Sequence, residues 1–127
     1  MARKKKKRYH TGTYTSAKGG DCKYRSGWEL AYIKWLDANP SVKSFRYEGV
    51  VIIYISNVRS GMHHRYFPDF LVEYVDGRQV LVEIKPARKV GQRINQKKLT
   101  AARQWCDEHG ATLEIMTEIE LKNLGII

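Results

Sequence analysis

The sequence predicts an α/β domain in which a mixed four-stranded sheet is flanked by helices, with the elements in the order αβββαβα. Runs rich in Val, Ile, Tyr and Phe with alternating polarity indicate the strands, and segments with apolar residues at helical spacing separate them. The patterns Ser-x-x-Glu and Thr-x-x-Glu mark the starts of the first and last helices. With 127 residues and 43% hydrophobic residues, the chain can build one core of this kind.

The first helix is predicted over residues 26–39. Ser26 and Glu29 form its capping box, and Pro40 ends it because proline cannot continue a helix. The first strand is predicted over residues 45–55, where β-branched and aromatic residues predominate. A turn rich in Asn, Ser and Gly separates this strand from the next one.

A hairpin follows, from residues 66–70 through Asp76-Gly77 to residues 82–86. A two-residue turn would pair Asp69 with Ile84, whereas a three-residue loop with Gly77 as a left-handed bulge residue pairs Asp69 with Glu83. Only the three-residue loop places all the apolar residues of one face together, so we predict this register. The residues of that apolar face are Phe70, Val72, Tyr74, Val80, Val82 and Ile84.

The last third of the chain predicts two helices separated by a strand. Residues 87–93 are basic and are expected to form a mobile loop. A helix over residues 95–109 ends at Gly110, and a strand follows over residues 112–116. The last helix begins at Thr117, which forms a capping box with Glu120.

The net charge of the chain is +10, and positive charge is concentrated at its start. Six basic residues are adjacent there: Arg3, Lys4, Lys5, Lys6, Lys7 and Arg8. We predict that residues 1–23 are a flexible basic arm and that residues 24–127 form a single domain. The arm has two interpretations, binding of a polyanion such as nucleic acid or a solvated tail.

Cysteine usage and hydropathy restrict the setting of the protein. Cys22 and Cys106 are far apart and lack metal-ligand spacing, so free thiols in a reducing compartment are expected. No apolar stretch is long enough to span a bilayer, and no signal-peptide core follows the basic run. We therefore expect a soluble protein that works inside a cell, with no membrane partner.

The chemistry predicted for the hairpin is a metal site. Two carboxylates on paired strands, Asp69 and Glu83, are close enough to share one hard cation, and the Ile84 backbone carbonyl could add a third oxygen ligand. Lys85 lies on the same face as Glu83 and could orient the attacking water or stabilise developing charge on a phosphate. In the alternative interpretation Asp69 forms a turn, and Glu83 and Lys85 are ordinary exposed strand residues.

These residues resemble a known family. Pro68-Asp69 followed by Glu83-Ile84-Lys85, with Glu29 on the preceding helix, is similar to the PD-(D/E)XK nuclease superfamily. The wider blocks, residues 24–29, 66–70 and 83–86, resemble the head-completion nucleases of tailed phages and the TnsA-type transposase endonucleases.

The resemblance implies a restriction-endonuclease-like core and a DNA endonuclease that depends on Mg²⁺, with Mn²⁺ as a substitute. It implies that Asp69 and Glu83 hold the metal, that Glu29 assists the metal through a water, and that Lys85 completes the catalytic set. Taken alone, Glu29 has a second interpretation as the cap of its own helix. Enzymes of the transposase branch tend to carry Gln where this chain has Glu83.

The resemblance also implies partners and a location. DNA is the expected substrate, phage head or portal proteins are the expected protein partners, and the host cytoplasm or the virion is the expected location. The alternatives are a catalytically silent DNA-binding protein of the virion and a transposase or junction-resolving nuclease.

Three further residues are expected to contact the nucleic-acid backbone. Arg25 lies one turn before Glu29, with an intrahelical ion pair as its alternative role. Lys97 and Lys98 open the second long helix, where a solvated face is the alternative. His63 and His64 are adjacent, so on a strand they point to opposite faces and cannot share an ion.

Overall fold

The computed structural model describes residues 11–127, and its central sheet has four strands. The helices and strands are β1 (Gly12–Ser16), β2 (Gly20–Tyr24), α1 (Gly27–Ala38), β3 (Val42–Tyr47), β4 (Ile52–Asn57), β5 (Met62–Tyr66), β6 (Phe70–Tyr74), β7 (Gln79–Ile84), α2 (Ala87–Val90), α3 (Arg93–His109), β8 (Thr112–Met116) and α4 (Glu118–Asn123). The sheet order is β3-β6-β7-β8, with β7 and β8 parallel and the other pairs antiparallel. The predicted mixed sheet and the core order αβββαβα are confirmed, with α2 and two hairpins, β1–β2 and β4–β5, added to them.

The predicted register of the β6–β7 hairpin is confirmed. Phe70 pairs with Val82, and the loop closes where the Tyr74 amide donates to the Arg78 carbonyl at 2.9 Å. Gly77 has φ of +92°, a conformation that residues with a Cβ rarely adopt, so glycine is needed there to make the three-residue loop.

The alternation of β6 and β7 gives the sheet two apolar faces. On one face, Phe70 and Val82 belong to a core formed with α1 and α4. On the other, Leu71 and Leu81 pack with β4, β5 and α3. Both faces are covered, which explains why most positions of β6 and β7 are buried and none is exposed.

The prediction of one strand over residues 45–55 is wrong. The run divides between β3, in the central sheet, and β4, in a separate two-stranded sheet with β5. The break comes at Glu48 and Gly49, because Glu48 has φ of +52° and the chain leaves the sheet at this point. Strand propensity identifies extended residues but not the sheet in which they pair.

The prediction of a flexible arm over residues 1–23 is wrong for its second half, because β1 and β2 form an antiparallel hairpin. Tertiary contacts hold this polar segment in place. The Asp37 carboxylate of α1 accepts from the Ser16 hydroxyl at 2.7 Å, and the Cys22 side chain is fully buried in the core. Residues 1–10, which include the basic run, lie outside the described residues.

The remaining boundaries agree closely with the predictions. Ser26 caps α1, Gly110 ends α3 in the left-handed conformation, and Thr117 forms the expected capping box at α4. The expected loop over residues 87–93 instead contains the short helix α2. Both cysteines are free and buried. No helix within residues 11–127 is both long and apolar enough to cross a bilayer.

Candidate active site

Asp69 lies at the point where the β6–β7 ladder ends. Continuing the register of Phe70 with Val82 by one residue places Asp69 opposite Glu83, as predicted. Asp69 Oδ2 accepts a hydrogen bond from the Ile84 amide at 2.7 Å, so the main chain of β7 fixes its carboxylate. Asp69 and Glu83 are therefore on the same face of the sheet.

Pro68 explains why the ladder ends here. The backbone polar groups of alternate β7 residues point towards β6, as the Arg78 carbonyl shows by accepting from the Tyr74 amide, and Ile84 belongs to this set. By the same register Ile84 lies opposite Pro68, which has no amide hydrogen to donate to the Ile84 carbonyl. The Ile84 carbonyl thus has no donor on β6 and is free to accept another partner, and its predicted role as a metal ligand stays a prediction.

Glu83 is the most deeply buried acid of the site, with 6% of its surface exposed. One carboxylate oxygen, Oε2, lies 3.5 Å from the Lys85 ammonium. The other, Oε1, is buried without a hydrogen-bond partner. A buried carboxylate oxygen with no partner is unfavourable, so this atom has the properties of a ligand atom.

Burial and like charge make the two acids difficult to ionise together. Burial raises the pKa of Asp69 well above its ordinary value, and the neighbouring charges of Glu83 and Glu29 raise it further. Burial also raises the pKa of Glu83, against the opposing effects of the Tyr66 phenol and of Lys85. A cation bound between the two carboxylates would offset both the cost of burying their charges and the repulsion between them.

Glu29 contributes the third acid and has a well-defined position. Its Oε1 accepts from the Tyr47 hydroxyl at 2.7 Å and from the Arg25 amide at 2.8 Å, and the residue is 8% exposed. Ser26 caps the helix through the Glu29 amide, whereas the Glu29 carboxylate does not return to Ser26 as the capping box predicts. Its charge acts on Asp69, which places Glu29 close to the site.

The donor set fits a magnesium ion that keeps several of its waters. Within residues 11–127, no group of three or more His, Cys, Asp or Glu side chains is arranged to hold a metal ion. Two carboxylates and one free carbonyl offer oxygen ligands on one side only, and Mg²⁺ binds in this way, with water and substrate phosphate at the other positions. The role predicted for Glu29, assistance to the metal through a water, stays a prediction.

The structure brings only some of the predicted nucleic-acid contacts to this region. The Arg25 side chain is exposed near the site and pairs with Glu48, not with Glu29. The Lys98 ammonium lies 5.6 Å from the centre of the Tyr66 ring, beside Glu83. Lys97 instead donates to the Ser56 carbonyl and holds the β4–β5 hairpin against α3.

The two histidines are placed as expected, at opposite faces of β5. His63 pairs with Ile55, and His64 stacks on Tyr54, with its Nε2 atom 2.7 Å from the Ser56 hydroxyl. The basic run over residues 3–8 lies outside the part of the chain that the structure describes.

Sequence reasoning missed three residues of the site. Tyr47 holds Glu29, and Tyr66 lies beside Glu83. Glu48 lies opposite Asp69 when the β3–β6 register is continued by one residue, and its amide donates to the Asp69 carbonyl at 2.9 Å. The only sequence signal was Glu48-Gly49, a polar interruption in an apolar run.

Comparisons with known proteins place the chain among nucleases. The sequence model described as "TnsA-like endonuclease N terminal" matches residues 39–118. The chain is also 29% identical over 124 residues to the head completion nuclease of Enterobacteria phage T4, covering 80% of this chain and 82% of that protein. The matched region contains Asp69, Glu83 and Lys85.

Proposed function

Because the chain belongs to the TnsA-like endonuclease N-terminal family, we propose that it is a magnesium-dependent DNA endonuclease that hydrolyses phosphodiester bonds during phage head completion. One observation carries this proposal: Asp69 and Glu83 face each other at the broken end of the ladder, beside a buried oxygen of Glu83 that has no partner. The similarity to the phage T4 head completion nuclease supports the biological setting.

In this proposal the metal is held by Asp69, Glu83 and the Ile84 carbonyl. When bound, Mg²⁺ would stabilise negative charge on the phosphoryl oxygens and make water a stronger nucleophile at neutral pH. The Ile84 amide holds Asp69 Oδ2 in place, so the carboxylate loses little freedom when it binds an ion.

Lys85 stabilises the negative charge that develops on the phosphate in this proposal. Its side chain is 17% exposed and its ammonium lies 3.5 Å from Glu83, so it is fixed beside the carboxylates in a partly water-excluded environment. In such an environment one positive charge stabilises the transition state more than it would in water. Glu29, held by Tyr47 and by the Arg25 amide, orients a water for the metal or for attack.

Nicking of a supercoiled plasmid tests the proposal. The wild type is expected to nick in Mg²⁺ and in Mn²⁺ and to be inactive in EDTA. Asp69→Asn removes one metal ligand but keeps an oxygen for the Ile84 amide, and it is expected to lower the rate by at least about a hundredfold. Glu73→Gln is the matched control, because Glu73 lies on β6, four residues after Asp69 and on the same face of the sheet, but forms only an exposed pair with Lys43.

The outcomes are decisive. Nicking that survives both EDTA and Asp69→Asn would refute the metal mechanism. A wild type that cuts no DNA in either metal would favour a catalytically silent DNA-binding protein of the virion.

The family match favours one second candidate, an endonuclease of the transposase type. In this alternative, cleavage should depend on the DNA sequence, whereas in the proposed head-completion function it should not. Cleavage of plasmids with unrelated sequences at equal rates would therefore argue for the phage function, in the host cell or the virion. Co-purification with head or portal proteins would support the same conclusion.

A further inference from the structure

Glu48 has an unusual backbone conformation beside the site. Its φ of +52° makes it the only non-glycine residue with positive φ within residues 11–127. Its amide donates to the Asp69 carbonyl at 2.9 Å, so the strained residue is bonded directly to the residue that carries the proposed ligand. Side chains with a Cβ rarely adopt this conformation, and where they do the strain is often associated with function.

The side chain of Glu48 connects the acid cluster to Arg25. Its Oε1 lies 3.3 Å from an Arg25 guanidinium nitrogen, and the two side chains are 21% and 70% exposed. The charges of Glu29 and Glu83 both act on Glu48, so Glu48 lies at the edge of the cluster. Burial is the largest of the effects that raise its pKa.

Arg25 is attached to the site at two points. Its main-chain amide donates to Glu29 at 2.8 Å, and its side chain is held by Glu48. A guanidinium carries five N–H donors in a planar fork, and most of those on Arg25 remain available to solvent. These donors lie at the edge of three acids, where they add positive charge that attracts an approaching phosphate.

We infer that Glu48 is a positioning residue, which holds the Arg25 guanidinium at the edge of the carboxylate cluster so that it binds a phosphate of the DNA strand at the site. This inference rests on the proposed function. An arginine already held in place loses less side-chain freedom when it binds a phosphate, so the pair improves substrate binding. An exposed ion pair adds little to stability, so stability alone does not account for a strained backbone at Glu48.

The test compares Arg25→Ala, Glu48→Asn and the double variant. Asn is among the residues that best tolerate positive φ, so Glu48→Asn keeps the backbone but removes the carboxylate that reaches Arg25. Arg78→Ala is the matched control, because Arg78 forms a similar exposed pair with Asp76 at the other end of the hairpin. KM and kcat are measured by nicking in Mg²⁺, the Kd for a short duplex is measured in EDTA, and the melting temperature is recorded.

Arg25→Ala is expected to raise KM and Kd by roughly tenfold, the effect of one charge-assisted hydrogen bond. Glu48→Asn should raise both by a smaller factor, without lowering the melting temperature. The double variant should match Arg25→Ala, because Glu48 acts only through Arg25. Arg78→Ala should match the wild type.

Three results would overturn the inference. The first is that Glu48→Asn has the same KM and Kd as the wild type. The second is that the effects of the two single substitutions multiply in the double variant. The third is that Glu48→Asn lowers kcat alone, which would make Glu48 part of the metal site. A failure of the proposed function looks different, since the wild type would then cut nothing. The Kd values in EDTA would still decide whether Glu48 positions Arg25 for nucleic acid.

Discussion

Asp69→Asn should make the metal-free protein more stable, although it removes a proposed ligand. Asp69 and Glu83 occupy opposed positions on neighbouring strands, where carboxylates lie about 5 Å apart. At a pH where both acids are ionised, and at an effective dielectric constant of about 20, the two charges repel by about 3 kcal/mol at that distance. Lys85 lies 3.5 Å from Glu83 and offsets part of this repulsion. We therefore expect Asp69→Asn to raise the free energy of unfolding by about 1–2 kcal/mol in EDTA.

Thermal unfolding measures this effect. For a chain of 127 residues the entropy of unfolding is about 0.27 kcal/mol per degree, so the midpoint should rise by about 4–7 °C. Magnesium at 100 times its Kd should stabilise the wild type by about 2.7 kcal/mol, or about 10 °C, and Asp69→Asn very little. Magnesium should therefore reverse the order of the two midpoints.

Glu73→Gln is the control for this experiment as well, because it removes an acid from the same strand without touching the site. It should leave the response to magnesium unchanged. If Asp69→Asn lowers the midpoint in EDTA, the carboxylate is a stabilising structural residue and the electrostatic argument fails. If magnesium stabilises wild type and Asp69→Asn equally, the ion binds elsewhere.

Three further predictions concern pH, Lys85 and the basic run. Burial raises the pKa of Asp69 and Glu83 in the folded state, so the folded protein holds their protons more tightly than the unfolded chain does. The stability that this protonation contributes is complete below the unfolded-state pKa of about 4 and is lost as pH rises through the folded-state pKa. Unfolding scans should therefore show stability falling over that range in EDTA, and less so in magnesium; equal slopes would contradict a metal at these acids. Lys85→Met should reduce nicking by at least about a hundredfold while the magnesium-induced rise in melting temperature persists, because Lys85 is not a ligand; loss of both would show that it supports the metal site itself. Deleting residues 1–8 should weaken duplex binding and reduce the slope of log K against log salt by up to about 5; an unchanged slope would favour the solvated-tail interpretation.

The part of the site that lies on the β6–β7 hairpin could be predicted from the sequence because two local signals agree. Alternation fixes which residues share a face, and Gly77 fixes the loop length, so only one register satisfies both. Pro68 adds the position at which pairing must stop. Each of these properties belongs to residues close together in the chain.

What could not be predicted depends on contacts between distant residues. The β1–β2 hairpin is short and polar, and its order comes from Asp37 and from the burial of Cys22 in a core built by later segments. Glu48 joins the site only because β3 lies beside β6, a pairing that strand propensity does not specify. Glu29 was ambiguous for the same reason, because the packing of α1 determines which residues its carboxylate contacts.

Three features that are unfavourable in an ordinary sheet occur together at one end of β6. Pro68 removes a ladder donor, Glu48 adopts positive φ, and Asp69 faces Glu83 as a like charge. A fold selected for stability alone would place these costs apart or avoid them. A bound cation would account for the proline and for the facing acids, because it would use the carbonyl freed by the proline and neutralise the two carboxylates. In our proposal Glu48 positions Arg25, which would bind a phosphate beside that cation, so the strain at Glu48 and the charge at Asp69 would serve the same reaction.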